Sequence, residues 1–120
     1  MQLVSTHIVL NDDIGVRGNL YGGKLMAWID DASSAYAREV IKNPNTLTLK
    51  VSECLFLKPS KLNNIIKLYC ETLRIGITSI TVKVEARRCD VTQGDEEIVC
   101  TTEVTLVQID EDGRPCAIKK

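Results

Sequence analysis

The sequence has no C-x-x-C pair, no internal repeat, no low-complexity tract and no apolar run long enough to span a membrane. Its five cysteines, Cys54, Cys70, Cys89, Cys100 and Cys116, are odd in number and irregularly spaced. Secreted disulfide frameworks and zinc sites both call for regular pairs, so reduced thiols in a reducing compartment are expected, with no metal site. Neither sign of charge dominates: 15 Lys and Arg face 16 Asp and Glu, a formal net charge of -1. That balance gives no basic field for a nucleic acid, and a polyanionic small molecule would have to be met by local groups. The opening MQLVSTHIVL has neither a basic region nor a long apolar stretch. No signal peptide and no membrane partner are expected, and the chain reads as cytoplasmic. Only three prolines occur, Pro44, Pro59 and Pro115, each near a boundary between elements.

What is present is a chain of 120 residues, 44% hydrophobic. That suffices for one domain over residues 1–120 with a real core. Residues 3–10 read as a first strand. Residues 11–23 hold four glycines in thirteen positions and read as a loop. Residues 24–41 form a helix, because Leu25, Ile29, Ala32, Tyr36 and Val40 fall on one apolar stripe. Asn43, Pro44 and Asn45 stop it. The remainder reads as strands over 46–57, 65–74, the 80s and 98–109. Between them lie a turn at 61–64, a break at Gly76 and an acidic hairpin loop around 93–97. Ile80, Val82, Val84 and Ala86 alternate with Thr81, Lys83, Glu85 and Arg87, a period of two. One helix followed by antiparallel strands predicts an α+β fold, a curved antiparallel sheet wrapped around one long central helix. One helix leaves part of such a sheet uncovered, which invites pairing of chains.

Two carboxylates sit side by side in the helix. Asp31 shares a side with Lys24, Ala27 and Arg38, a solvated face with weak ion pairs. Asp30 lies beside Met26, Ser33, Ser34 and Ala37 at the border of the apolar stripe, where small neighbours leave room for a ligand. A helix-dipole or dimer contact is the plainer alternative for Asp30.

The segment Asp12-Asp13-Ile14-Gly15-Val16-Arg17-Gly18-Asn19-Leu20-Tyr21-Gly22-Gly23, with Asp30 seven residues on, resembles the entry to the central helix of hotdog-fold acyl-CoA thioesterases. The nearest branch holds bacterial YciA-like enzymes and the cytosolic acyl-CoA hydrolases of animals. Phe56-Leu57-Lys58-Pro59, Gly76-Ile77-Thr78-Ser79 and the stretch from Val107 to Pro115 continue the likeness in order. The resemblance implies a hotdog fold, chains paired edge to edge, and active sites at the interface. It also implies a homo-oligomer, a dimer or trimer of dimers, that hydrolyses acyl-CoA to a fatty acid and coenzyme A. No cofactor is implied, since coenzyme A is part of substrate and product. Asp30 corresponds to the catalytic aspartate, as general base or nucleophile. Gly22, Gly23 and Asn19 correspond to the oxyanion and substrate corner, joined by Thr48. Gly76, Thr78 and Ser79 correspond to the segment along coenzyme A. Arg74, Arg87, Arg88 and Lys58 are candidates for its phosphates, with plain surface charge as the alternative for each. His7, the only histidine, lies outside the helix, unlike the active-site histidine of hotdog dehydratases. Trp28 is expected in core or dimer packing, with a place along the acyl tunnel as the secondary reading. The family's loop asparagine is Gly15 here, which keeps a second reading open: a non-catalytic hotdog module that binds acyl-CoA as sensor or carrier.

Overall fold

A computed structural model describes residues 1–119. The chain runs β1 (Gln2–Ile8), two short 3-10 turns, α1 (Gly22–Ile41), β2 (Thr46–Val51), β3 (Leu55–Phe56), β4 (Ile65–Ile75), β5 (Ser79–Cys89) and β6 (Glu96–Gln108). Strand order is β1-β4-β5-β6-β2, all antiparallel, and β3 adds beside β2 on β6. The helix packs across one face of this sheet.

The period of two decides which face. Ile66, Leu68 and Cys70 of β4 and Ile80, Val82, Val84 and Ala86 of β5 point at the helix, all of them buried. They meet Leu25, Trp28, Ile29 and Ala32 from α1 and Cys100, Val104 and Leu106 from β6. The alternate residues form the outer face, where they pair by charge. Arg87 bonds Glu85 and Glu96 and lies over the Tyr69 ring at 3.9 Å, and Tyr69 Oη donates to Glu96 at 2.8 Å.

Several boundaries differ from the sequence reading. The helix starts at Gly22, two residues earlier, so both glycines belong to its first turn. It ends on Lys42 in the left-handed region (φ 57°), with the Lys42 and Asn43 N–H groups bonded to the Arg38 carbonyl. Val40, placed on the predicted stripe, is 38% exposed, while Ala37 takes a buried position. The expected strand 46–57 is two strands separated by Ser52, Glu53 and Cys54, with a bulge between Thr48 and Lys50. Glu96 and Glu97, expected in a loop, open β6, because cross-strand cations satisfy them: Lys67 and Arg87 for Glu96, Lys58 and Arg88 for Glu97. No helix of the described residues is long and apolar enough to cross a membrane.

Candidate active site

Asp30 is half-buried on the flank of α1 that faces β2. Thr48 Oγ1 donates to its Oδ1 at 2.6 Å. One turn further, Ser33 Oγ donates to the Asp30 carbonyl at 3.1 Å, and Ser33 itself is fully buried. Arg38 Nε donates to Thr46 Oγ1 at 3.1 Å, fixing the same helix flank to the start of β2. Thr48, expected with the glycine corner, is instead in direct contact with Asp30, and the contact is held from both elements.

Asp31 points elsewhere. Its expected partners are engaged by others, Lys24 by Asp13 at 3.7 Å and Arg38 by Thr46. Asp31 is exposed, as its side of the helix led one to expect, but the ion pairs expected there do not form among the described residues.

The glycine corner sits at the start of α1. The Lys24 and Leu25 N–H groups bond the Tyr21 carbonyl, while those of Gly22 and Gly23 have no acceptor among the described residues. They lie at the positive end of the helix dipole. Gly23 was expected to leave room above its N–H, and the Tyr21 ring occupies that room. A Cβ at Gly23 would lie 2.5 Å from Tyr21 Cε2, and one at Gly15 would lie 3.4 Å from Tyr21 Cβ. Tyr21 is 62% exposed, so its ring can leave. This placement depends on how the loop folds back. Asp13 does the folding: its Oδ2 accepts from Leu10 N at 2.9 Å and its carbonyl from Tyr21 N at 2.7 Å. The Asp three residues after Leu10 was the available local cue.

Asn19 lines a cavity of about 340 Å³ beside this corner, with Leu20, Gly22, Leu25 and Phe56. Its Oδ1 is buried without a hydrogen-bond partner among the described residues. Gly76, Thr78 and Ser79 form the tight β4–β5 turn, closed by Gly76 N to the Ser79 carbonyl at 2.7 Å. Ser79 pairs with Val107, which pairs with Leu47, so this turn lies two strands from Thr48, roughly 10 Å at normal strand spacing. Of the four cations, Lys58, Arg87 and Arg88 are committed to Glu97, Glu85 and Glu96. Arg74, exposed two residues before Gly76, has no carboxylate partner among the described residues. His7 lies on β1, at the opposite edge of the sheet, stacked on the buried Trp28 with ring centroids 4.3 Å apart. That burial pulls its pKa below the ordinary histidine value.

Asp30 and Gly23 do not converge within one chain. Seven residues of helix separate them by ~10 Å along the axis. Yet β2, which carries Thr48, is an unpaired sheet edge with Leu47 54% and Leu49 65% exposed.

A sequence profile of the thioesterase superfamily matches residues 17–95, which span the glycine corner, Asp30, Thr48 and the Gly76 turn. The chain belongs to the thioesterase superfamily. Among relatives of this thioesterase is the acyl-CoA thioester hydrolase YciA of Salmonella typhimurium, 26% identical over 95% of this chain and 87% of its own length. Two solved structures share its fold closely. One is a hexameric thioesterase of Yersinia pestis, 25% identical, TM-score 0.92, covering 99% of this chain and 96% of that one. The other is an acyl-CoA hydrolase of Staphylococcus aureus in complex with butyryl coenzyme A, coenzyme A and coenzyme A disulfide, 25% identical, TM-score 0.89, covering 95% of this chain and 69% of that one. The expected hotdog architecture and YciA-like kinship are both borne out by these likenesses.

Proposed function

We propose that this thioesterase hydrolyses acyl-CoA to a carboxylic acid and coenzyme A, with Asp30 as the group that activates the attack. The observation that carries the reading is the Asp30 carboxylate held by Thr48 on the free edge of the sheet. As general base, Asp30 takes a proton from water, and the resulting hydroxide adds to the thioester carbonyl. The tetrahedral oxyanion then collapses, expelling the coenzyme A thiolate, which recovers the proton from Asp30. As nucleophile, Asp30 attacks the thioester carbonyl and expels the coenzyme A thiolate, leaving an acyl anhydride that water cleaves to the acid and free Asp30, the thiolate taking up the proton released. Both routes consume one water, give the same products and need no resident cofactor.

The oxyanion falls to the unbonded N–H of Gly23, with Gly22 beside it. Because Gly23 and Asp30 of one chain are too far apart, the working site pairs Asp30 of one copy with Gly23 of a second. Antiparallel pairing of β2 with its symmetry mate covers Leu47 and Leu49, supplies that second copy, and makes the dimer the catalytic unit. A trimer of such dimers is the assembly in keeping with the hexameric relative. Asn19 lines the cavity that takes part of the substrate, and the 76–79 turn with Arg74 meets coenzyme A. The five free thiols suit a reducing compartment such as the cytoplasm.

Gly15 favours one rival reading, in which acyl-CoA is bound and not cleaved. Thiol release from a panel of acyl-CoAs, acetyl to palmitoyl, separates the two. Turnover supports the hydrolase. Binding of every thioester without turnover would make the protein an acyl-CoA sensor or carrier.

A further inference from the structure

Two of the five thiols are not isolated. Cys54 Sγ lies 3.3 Å from Cys100 Sγ. Cys54 is half-buried just ahead of β3, and Cys100 is fully buried in β6. The register explains the meeting: Leu55 pairs with Thr101 and Phe56 with Cys100, so Cys54 and Cys100 are diagonal neighbours on the face turned to the helix. Cys70, also buried, lies on β4, two strands from β6.

We propose that Cys54 and Cys100 form a reversible disulfide that clamps β3 onto β6. The co-reactant is a low-molecular-weight disulfide of the glutathione class. Cys54, the more accessible thiol, attacks one sulfur of that disulfide as thiolate, forming a mixed disulfide and releasing one small thiol. Cys100 then loses its proton and attacks Cys54 Sγ, forming the internal bond and expelling the second small thiol. Two protein thiols are oxidised, one small disulfide is reduced to two thiols, and the two protons leave on those thiols. Burial pushes the Cys100 thiol up to about 12, which assigns it the resolving step and makes that step the slower one.

The clamp acts on the shortest strand. β3 has only two residues, paired on one side, and its Phe56 ring rests 3.8 Å from the position of a Cβ on Gly22. Phe56 and Leu57 form the wall of the 340 Å³ cavity that Asn19 lines. Joining Cys54 to Cys100 fixes that wall.

The test treats the intact protein with oxidised glutathione and maps disulfides by mass spectrometry. The expected result is a loss of two hydrogens, a linked Cys54–Cys100 peptide pair, and a higher melting temperature, all reversed by dithiothreitol. Cys54→Ser should abolish the bridge and the thermal shift. Cys100→Ala should leave glutathione stranded on Cys54, which guards against misreading a folding defect in either variant. A stable glutathione adduct on wild-type Cys54, or bridges through Cys70, Cys89 or Cys116 instead, would overturn the proposal. Because the readout is covalent mass, its outcome stands apart from whether the protein hydrolyses acyl-CoA.

Discussion

Thr48 Oγ1 donates a hydrogen bond of 2.6 Å to Asp30 Oδ1, joining the central helix to the free edge strand. The bond orients the carboxylate that the proposed chemistry relies on. Thr48→Val removes the donor at nearly constant volume. A hydrogen bond to a charged group is worth roughly 1.5–3 kcal/mol, so kcat should fall by about tenfold or more while KM changes little. Thr48→Ser, which keeps the donor, should retain most of the activity. Steady-state kinetics on both variants check this.

Gly23 offers a test that separates shape from chemistry. A Cβ there would strike Tyr21 Cε2, the far end of a ring that is 62% exposed and free to swing away. Gly23→Ala should therefore fold with an unchanged or slightly raised melting temperature, since alanine suits a helix better than glycine. The added methyl would still crowd the carbonyl approaching the Gly23 N–H. A loss of about a hundredfold in kcat, the size of one oxyanion donor, is expected alongside unimpaired stability.

The edge strand sets the third prediction. Leu47 and Leu49 stand exposed on β2. Leu49→Asp puts a charge where a second copy should pair, and should dissociate the dimer and abolish turnover together. Light scattering and thiol release on one preparation would show it. An active monomer would refute the shared site.

Acid stability follows from Glu96. The hydrogen bond from Tyr69, with further help from Lys67 and Arg87, holds its carboxyl below the ordinary glutamate value of 4.5. Its folded pKa lies under its unfolded one, so the unfolded chain binds the extra proton in between. Its stabilisation is complete above pH 4.5 and fades as pH falls through the lower, folded value. The melting temperature of the wild type should drop more steeply between neutral and acid pH than that of Glu96→Gln.

Much of this was legible from residue order because it is periodic. The alternation in β5 gave its buried face, and the helix stripe gave the side carrying Asp30. What escaped depends on distant partners. Glu96 and Glu97 look like a loop until Lys58, Lys67, Arg87 and Arg88 arrive from other strands. Ser52-Glu53-Cys54 breaks a strand without glycine or proline, so no local cue marks it. Val40 keeps the helical period yet remains 38% exposed near the helix end. Asp30 meets Thr48 across eighteen residues of sequence, a contact that no local pattern marks; the resemblance to thioesterases placed Thr48 at the site but with the glycine corner.

The most direct measurement compares wild type and Asp30→Asn on an acyl-CoA that the wild type cleaves, with assembly state and coenzyme A binding monitored in both. The account predicts a fall in kcat of at least about a hundredfold, the usual worth of a general base, with assembly and binding intact. An Asp30→Asn protein that keeps turnover within a few-fold of wild type would contradict it.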